Sequence, residues 1–312
     1  ILLAAGVLWI FIKGKIKKEY VVIIFGFLIL NDLWVVDKRY LNETHFVGKS
    51  KSSFVKTETD KSIIKQNKDH SRVLNLTNTF NESSTSYYHN SIGGYHAAKL
   101  LRYQELINFQ LYSEVEKIKS SLNNKRGHEF SNVLNMLNAK YIIDNPNQKP
   151  IINQNALGNA WFVSEVKVVK NANEELDALN YFNPATIAIV DKRFTENITN
   201  FTFNPSASIK LNQTEYQPNH LTYNLKNITS NQLVVFSEIF YAKGWNSYIN
   251  GEIAPHFRSN YVLRSMIVPE GTTKIEFKFE PSSYSNSETI AYASSILLLL
   301  MLGFVSYKEL KS

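Results

Sequence analysis

YVVIIFGFLILNDLWVV at Tyr20–Val36 and TIAYASSILLLLMLGFVSY at Thr289–Tyr307 decide how the rest of the chain is read. A helix that crosses a bilayer needs about 20 predominantly apolar residues, within a range of roughly 17–25. Both runs reach that length. Each is apolar on every side rather than striped, unlike an amphipathic helix packed on a soluble core. A shorter run, ILLAAGVLWIFI at Ile1–Ile12, comes first. The chain opens inside this run without an initiator Met, so we read it as the C-terminal part of a longer multi-spanning protein, with its first helix truncated.

Charge sets the expected orientation. Lys13, Lys15, Lys17 and Lys18 lie between the first two runs, and Lys308 and Lys311 follow the last. Lys and Arg near span ends mark the cytoplasmic side. Both clusters can be cytoplasmic only if residues 37–288 lie on the opposite face. A secretory signal peptide fits poorly, because the first run has neither a basic start nor a cleavage-type end. Asn31 and Asp32 fall near the outer end of the second run. A carboxylate inside a span is costly and marks a functional candidate; the plainer reading places Asp32 at the interface, capping or solvated.

The mean hydropathy of −0.21 averages two apolar ends with a polar middle rich in Asn, Ser and Tyr. The net charge of +7 comes from lysines spread along the 312 residues, with no basic stripe interleaved with aromatics. That pattern argues against nucleic acid as a partner. The absence of cysteine excludes disulfides, thiol catalysis and cysteine-ligated zinc. N-x-[ST] sequons such as those at Asn75 and Asn212 arise from the Asn-rich composition, and no glycosylation is read from them.

Within the middle, Lys38–Asp69 reads as a crossing segment or long loop. SRVLNLT at Ser71–Thr77 alternates like a half-buried strand. Asn78–His96 is rich in turn formers, and a loop of that length is often functional. Leu100, Ile107, Leu111, Val115, Ile118 and Leu122 recur at three- and four-residue steps and predict a helix over Ala97–Leu122. A short helix over Glu129–Asn138 runs into a buried strand at NAKYII. A turn and strand follow over Ala156–Val169. Asn173 caps the next helix, with acids in its first turn, and TIAIVD is a further strand. From Ser206 to Pro281 helical periodicity gives way to short strands split by turns, which predicts a β-sandwich. Asn250–Gly251 is a two-residue hairpin signal. Ile275, Phe277 and Phe279 face one way there, and Lys274, Glu276 and Lys278 the other.

The expected fold class is therefore membrane α plus soluble α+β. Residues 1–36 form two transmembrane helices joined by a basic loop at 13–19. Residues 37–205 form an extracytoplasmic mixed α/β subdomain, 206–287 the β-sandwich, and 288–312 the last helix with a short tail.

No Walker loop, G-x-G-x-x-G, H-E-x-x-H or G-x-S-x-G element is present. His89 and His96 flank the Gly93–Gly94 pair without a third ligand, so no metal or other cofactor is expected. The most suggestive polar set is His96, Lys99 and Arg102, with Tyr95 beside them. Steps of three place these cations along one helix face, where they could hold a lipid carrier's phosphate or simply be solvated. Tyr87, Tyr88 and Tyr95 could stack on a sugar or serve ordinary packing. Trp245 is expected in the sandwich core, with Arg264 pairing with Glu238 or snorkelling.

Several stretches together resemble the YfhO family of bacterial multi-spanning membrane proteins. They are VDKRYLN (Val36–Asn42), RVLNL (Arg72–Leu76), SIGGYHAAKLLRYQELI (Ser91–Ile107), NVLNMLNAKYII (Asn132–Ile143), GNAWFV (Gly158–Val163) and VDKRF (Val190–Phe194). FSEIFYAKGWNSYINGE (Phe236–Glu252) and NYVLRSMIVPEGTTKIEFKFEP (Asn260–Pro281) carry it most clearly. The resemblance implies a C-type glycosyltransferase of the bacterial inner membrane. Such an enzyme moves a sugar from a polyprenyl-phosphate carrier to a cell-envelope glycan acceptor. It also implies that the catalytic acid sits on a first outer loop outside this chain. Under it, Asp32, Tyr95, His96, Lys99 and Arg102 are substrate-binding candidates, and the extracytoplasmic domain caps the site or binds acceptor. The competing readings are a non-catalytic envelope module that binds glycan or protein, and part of a transporter.

Overall fold

The computed structural model describes residues 2–46, 54–124 and 130–311. The chain divides into two compact units, Ile1–Val55 and Lys56–Ser312.

In the first unit, α1 (Leu2–Ile12) and α2 (Lys18–Tyr40) are apolar helices with no buried residue. The helical stretch Lys18–His45 contains an 18-residue window of mean hydropathy 1.9 and is long and apolar enough to cross a membrane. Helix α2 runs past the expected end at Val36. It continues through Asp37, Lys38 and Arg39 to Tyr40, so Asp32 lies within the helix. Asn42 caps the short 3₁₀ turn at Glu43–His45 by accepting from the Thr44 amide at 3.1 Å.

The second unit opens with α3 (Glu58–Gln66), inside a stretch expected to be loop. Its cause is local. Thr57 accepts from the Asp60 amide while Asp60 accepts from the Thr57 amide, a reciprocal cap, and Ile63 anchors the helix in the core. Residues 47–53 of that stretch lie outside the described residues. Then come β1 (Arg72–Asn75) and α4 (Ser84–Tyr88). The long helix forms as α5 (Leu101–Leu106), a π turn at Ile107–Leu111, and α6 (Tyr112–Asn123). It starts four residues later than predicted. Gly94 has φ +114°, and the chain turns through the following residues before entering the helix. The π turn carries Leu106, Ile107 and Leu111 to the buried side together.

Helix α7 (Asn132–Met136) leads into β2 (Ala139–Ile143); the expected start at Glu129 lies outside the described residues. Strands β3 (Ile151–Ile152), β4 (Ala160–Val163) and β5 (Glu165–Val169) follow. The next helix, α8 (Ala172–Ala178), is capped by Asn171 rather than Asn173, through the Asn173 and Glu174 amides. After it comes β6 (Ile187–Asp191). The back half holds β7 (Ser208–Leu211), β8 (His220–Lys226), β9 (Gln232–Ile239), β10 (Trp245–Ile249) and β11 (Glu252–Ile253). Three more strands complete it: β12 (Phe257–Ser259), β13 (Leu263–Val268) and β14 (Lys274–Phe279). The final α9 (Ser282–Lys311) contains a second stretch long and apolar enough to cross a membrane, Ser282–Lys308, with an 18-residue window of mean hydropathy 2.0.

This is an α+β chain with several antiparallel sheets. The order β11-β10-β14-β8-β7 makes one antiparallel sheet and β12-β13-β9-β4 another. Strands β1, β2 and β3 form a small mixed sheet, and β5 pairs with β6 in parallel. Strand β4 comes from the front half, yet Trp161 pairs with Val235 of β9. The front and back halves therefore share a sheet across the expected boundary at 205. The run QLVVF explains why. Val234 and Phe236 join a cluster with Tyr223, Ile275 and Phe277 of the other antiparallel sheet. Leu233 and Val235, on the opposite face, join the core built on β1, β2, α5 and α6. Strand β9 is covered on both faces, so it reads as a continuous apolar run instead of an alternating one. Each fully buried Phe or Leu contributes about 1.5–3 kcal/mol of transfer energy. Asn250 and Gly251 have φ +49° and +92°, forming the expected tight hairpin between β10 and β11.

Candidate functional site

Two adjoining cavities lie where β1, the 89–91 loop, the entrance to β2 and the end of β9 meet. One cavity of about 320 Å³ is lined by His70, Arg72, Asn90, Asn138, Tyr216 and Glu238, with His89, Ser91 and Asn159. A neighbouring cavity of about 380 Å³ is lined by Ile64, Asn67, Ser86, Tyr87 and Tyr88, and shares His70, His89 and Asn90 with the first.

Each lining group is held by a specific local cause. The Arg72 guanidinium donates through Nη1 to the carbonyls of Leu137 (2.9 Å) and Ser237 (2.5 Å). Its Nη2 stands 3.7 Å from Glu238 Oε2, an ion pair longer than a hydrogen bond. His70 and Asn138, each just before a strand, both adopt φ +55°. The His70 ring stacks on Tyr216 at 3.8 Å between centroids, with the planes 13° apart. Burial, and then the Glu238 carboxylate, push the Tyr216 phenol above its ordinary value. Asn90 donates to the His70 carbonyl at 3.1 Å. His89 Nε2 lies within hydrogen-bonding distance of Asp60 Oδ1, at 2.9 Å. Burial pushes the Asp60 carboxyl up, but bonds from Thr57 and His89 outweigh it and hold it below the usual carboxylate range. Asn138 is 2 % exposed, and its Oδ1 has no hydrogen-bond partner.

The residues singled out from sequence go elsewhere. Asp32 is an exposed residue of α2 in the first unit. Tyr95 is 74 % exposed, and its amide donates to the Glu82 carbonyl at 3.1 Å. His96 and Lys99 precede the helix, so the three cations do not share one helix face. His96 Nδ1 accepts from the Ala98 amide at 3.0 Å, and Lys99 Nζ reaches the Phe80 carbonyl at 3.4 Å. Arg102 turns into a buried junction around Glu175, which is 0 % exposed. Glu175 Oε2 accepts from Arg102 and Arg258, each at 3.3 Å, and Oε1 accepts from the Tyr261 amide at 3.0 Å. The Arg102 guanidinium also lies 4.6 Å from the Tyr261 ring centroid. Burial pushes the Glu175 carboxyl up, outweighing both guanidinium groups. Burial and the Glu105 carboxylate push the Tyr261 phenol up to about 12. Asn260 and Tyr261 sit at φ +47° and +70°. The junction thus clamps a strained turn of the β12–β13 hairpin onto α5 and α8, a structural use of Arg102 that its sequence position does not reveal.

Arg264 forms no ion pair with Glu238 among the described residues. It is 3 % exposed and stacks 4.1 Å from the Trp245 ring centroid and 5.1 Å from that of Phe277. Sequence reasoning passed over Arg72, Asn138 and Tyr216 as site residues and weighed Glu238 only as a partner for Arg264. The local cue was Arg72 opening a strand whose centre, Val73 and Leu74, is apolar.

Chemically, the groove offers amide, guanidinium and carboxylate groups against an aromatic wall. No protein-family model, curated protein or solved structure matches the chain at a significant level. Among the described residues the chain is an α+β protein with two helices long and apolar enough to cross a membrane.

Proposed function

We propose that the chain is the extracytoplasmic and membrane-anchoring part of a YfhO-like glycosyltransferase of the bacterial inner membrane. Residues 37–288 stand on the outer face, the two antiparallel sheets form a β-sandwich, and the domain receives the envelope glycan that accepts the sugar. The polyprenyl-phosphate-linked donor and the catalytic acid belong to the rest of the multi-pass protein. The observation that carries this reading is the bracketing of one α+β domain by two long apolar helices whose far ends bear Lys13–Lys18 and Lys308–Lys311.

Because the chain has no cysteine, its topology can be read by single substitutions. Lys17→Cys, Tyr181→Cys and Lys311→Cys are each treated with a membrane-impermeant maleimide on intact spheroplasts. Labelling at 181 alone supports the reading; labelling at 17 or 311 without lysis overturns it. Sugar transfer from a polyprenyl-phosphate donor by the full-length protein then separates the transferase from a non-catalytic binding module, which has the same topology and transfers nothing.

A further inference from the structure

We infer that the groove running past His70, His89 and Asn90 to the Arg72–Glu238 pair binds a neutral saccharide unit, resting on the envelope reading above for the source of that glycan. The two cavities, about 320 and 380 Å³, fall within the roughly 300–1,000 Å³ range of small-ligand sites. Such sites are usually lined by apolar groups. Here the inner cavity is lined almost entirely by hydrogen-bonding groups, so its ligand must supply hydrogen bonds throughout, as a polyhydroxylated ring does.

Charge narrows the class further. Arg72 faces Glu238 at 3.7 Å and His89 faces Asp60 at 2.9 Å. Among the described residues, no lysine lines either cavity. A phosphate or uronate would meet Glu238 as well as Arg72 and gain little, whereas a hydroxyl can use both charges. At the apex of the pair it accepts from Arg72 Nη2 and donates to Glu238 Oε2. Charge-assisted bonds of this kind are roughly twice as strong as neutral ones.

Asn138 supplies the independent observation. Its side chain lines the inner cavity at 2 % exposure with Oδ1 unpartnered. A buried acceptor without a donor costs about 1–3 kcal/mol. The residue is nevertheless fixed in the left-handed region at φ +55°; Oδ1 is closed to solvent as it stands, and a turn of the amide toward the cavity would bring it to a ligand hydroxyl. The stacked His70 and Tyr216 rings form a flat wall beside it, and Tyr87 and Tyr88 line the outer cavity.

The test uses the full chain in lipid nanodiscs and three probes: the β-1,4-linked N-acetylglucosamine tetrasaccharide, mannotriose and inorganic phosphate. Saturation-transfer NMR and titration calorimetry should find saturable binding of at least one glycan, with Kd in the ~10 µM–1 mM range. Asn138→Gly keeps the backbone conformation and removes the amide, and Glu238→Gln keeps the shape and removes the charge. Each should weaken binding at least tenfold with an unchanged melting temperature, and Lys99→Ala should leave it unchanged. If either variant melts early, Tyr216→Ala replaces it in the comparison. Binding of neither glycan, equal affinity in the variants, or saturable phosphate binding that displaces the glycan overturns the inference. Glycan binding combined with wrong-side cysteine labelling keeps the site and removes the topology. Correct labelling with no glycan binding does the reverse.

Discussion

His256 should make the stability of the sheet domain fall as the pH drops from 7.5 to 5. Its ring is packed edge-on against Phe277 at 5.3 Å and Phe240 at 5.7 Å. The Ser247 hydroxyl donates to the Ala254 carbonyl at 2.5 Å, which leaves Ser247 Oγ to accept from His256 Nδ1 at 2.8 Å. Burial and the nearby Arg264 guanidinium lower the His256 pKa from 6.5 to about 4. A folded-state value below the unfolded one means that the unfolded chain binds the extra proton. Stability from this group is then complete above pH 6.5 and is lost as the pH falls toward 4. One pKa unit corresponds to 1.36 kcal/mol, so the loss is about 2 kcal/mol at pH 5 and about 3 kcal/mol at pH 4. His256→Phe fills the same aromatic site and removes the titration. The assay is guanidinium unfolding of the full chain in detergent at pH 7.5 and pH 5, followed by tryptophan fluorescence. Wild type should lose about 2 kcal/mol more than His256→Phe between the two conditions. A difference below about 0.5 kcal/mol would refute the neutral, buried imidazole.

Two further outcomes follow from the packing. Glu175→Ala leaves Arg258, whose side chain is 9 % exposed, without its carboxylate and strands the Tyr261 amide. It should cost about 3–5 kcal/mol, seen as early melting, while Lys99→Ala melts like wild type. Gly93 lies so close to the loop before α4 that a Cβ there would fall 1.6 Å from the Thr79 carbonyl oxygen. Gly93→Ala should therefore abolish folded expression, whereas Gly251→Ala, whose Cβ meets open space, should cost only about 1–2 kcal/mol for its left-handed backbone; equal expression and melting of the two variants would contradict the close approach.

Much of the architecture was written locally. The apolar runs specify helices whatever surrounds them, since length and all-round apolarity need no partner to be recognised. RVLN, NAKYII, IAIVD and the alternating KIEFKF carry their strand character in their own periodicity, and Asn250–Gly251 encodes its own turn. The misplaced boundaries were governed by weaker local chemistry. The reciprocal cap of Thr57 and Asp60 made α3 where polar residues read as loop. The turn before Leu101 delayed a helix that hydrophobic spacing alone would have begun at Ala97. Asn171 took the capping role expected of Asn173.

The groove belongs to the tertiary structure. His70, Arg72, Asn90, Asn138, Tyr216 and Glu238 come from segments up to 168 residues apart. None stands in a spacing that marks chemistry. They meet because β4 crosses from the front half to pair with β9 and because β1 lies beside β2, which brings Arg72 to the end of the strand that carries Glu238. The same folding drew Arg102 away from the solvent face that its neighbours suggested, since the buried Glu175 carboxylate requires a cation once α8 packs against the β12–β13 turn. Sequence periodicity reports what a residue does to its own segment. Which charges and amides face one another depends on long-range strand pairing, and that is decided by how the apolar faces find cover.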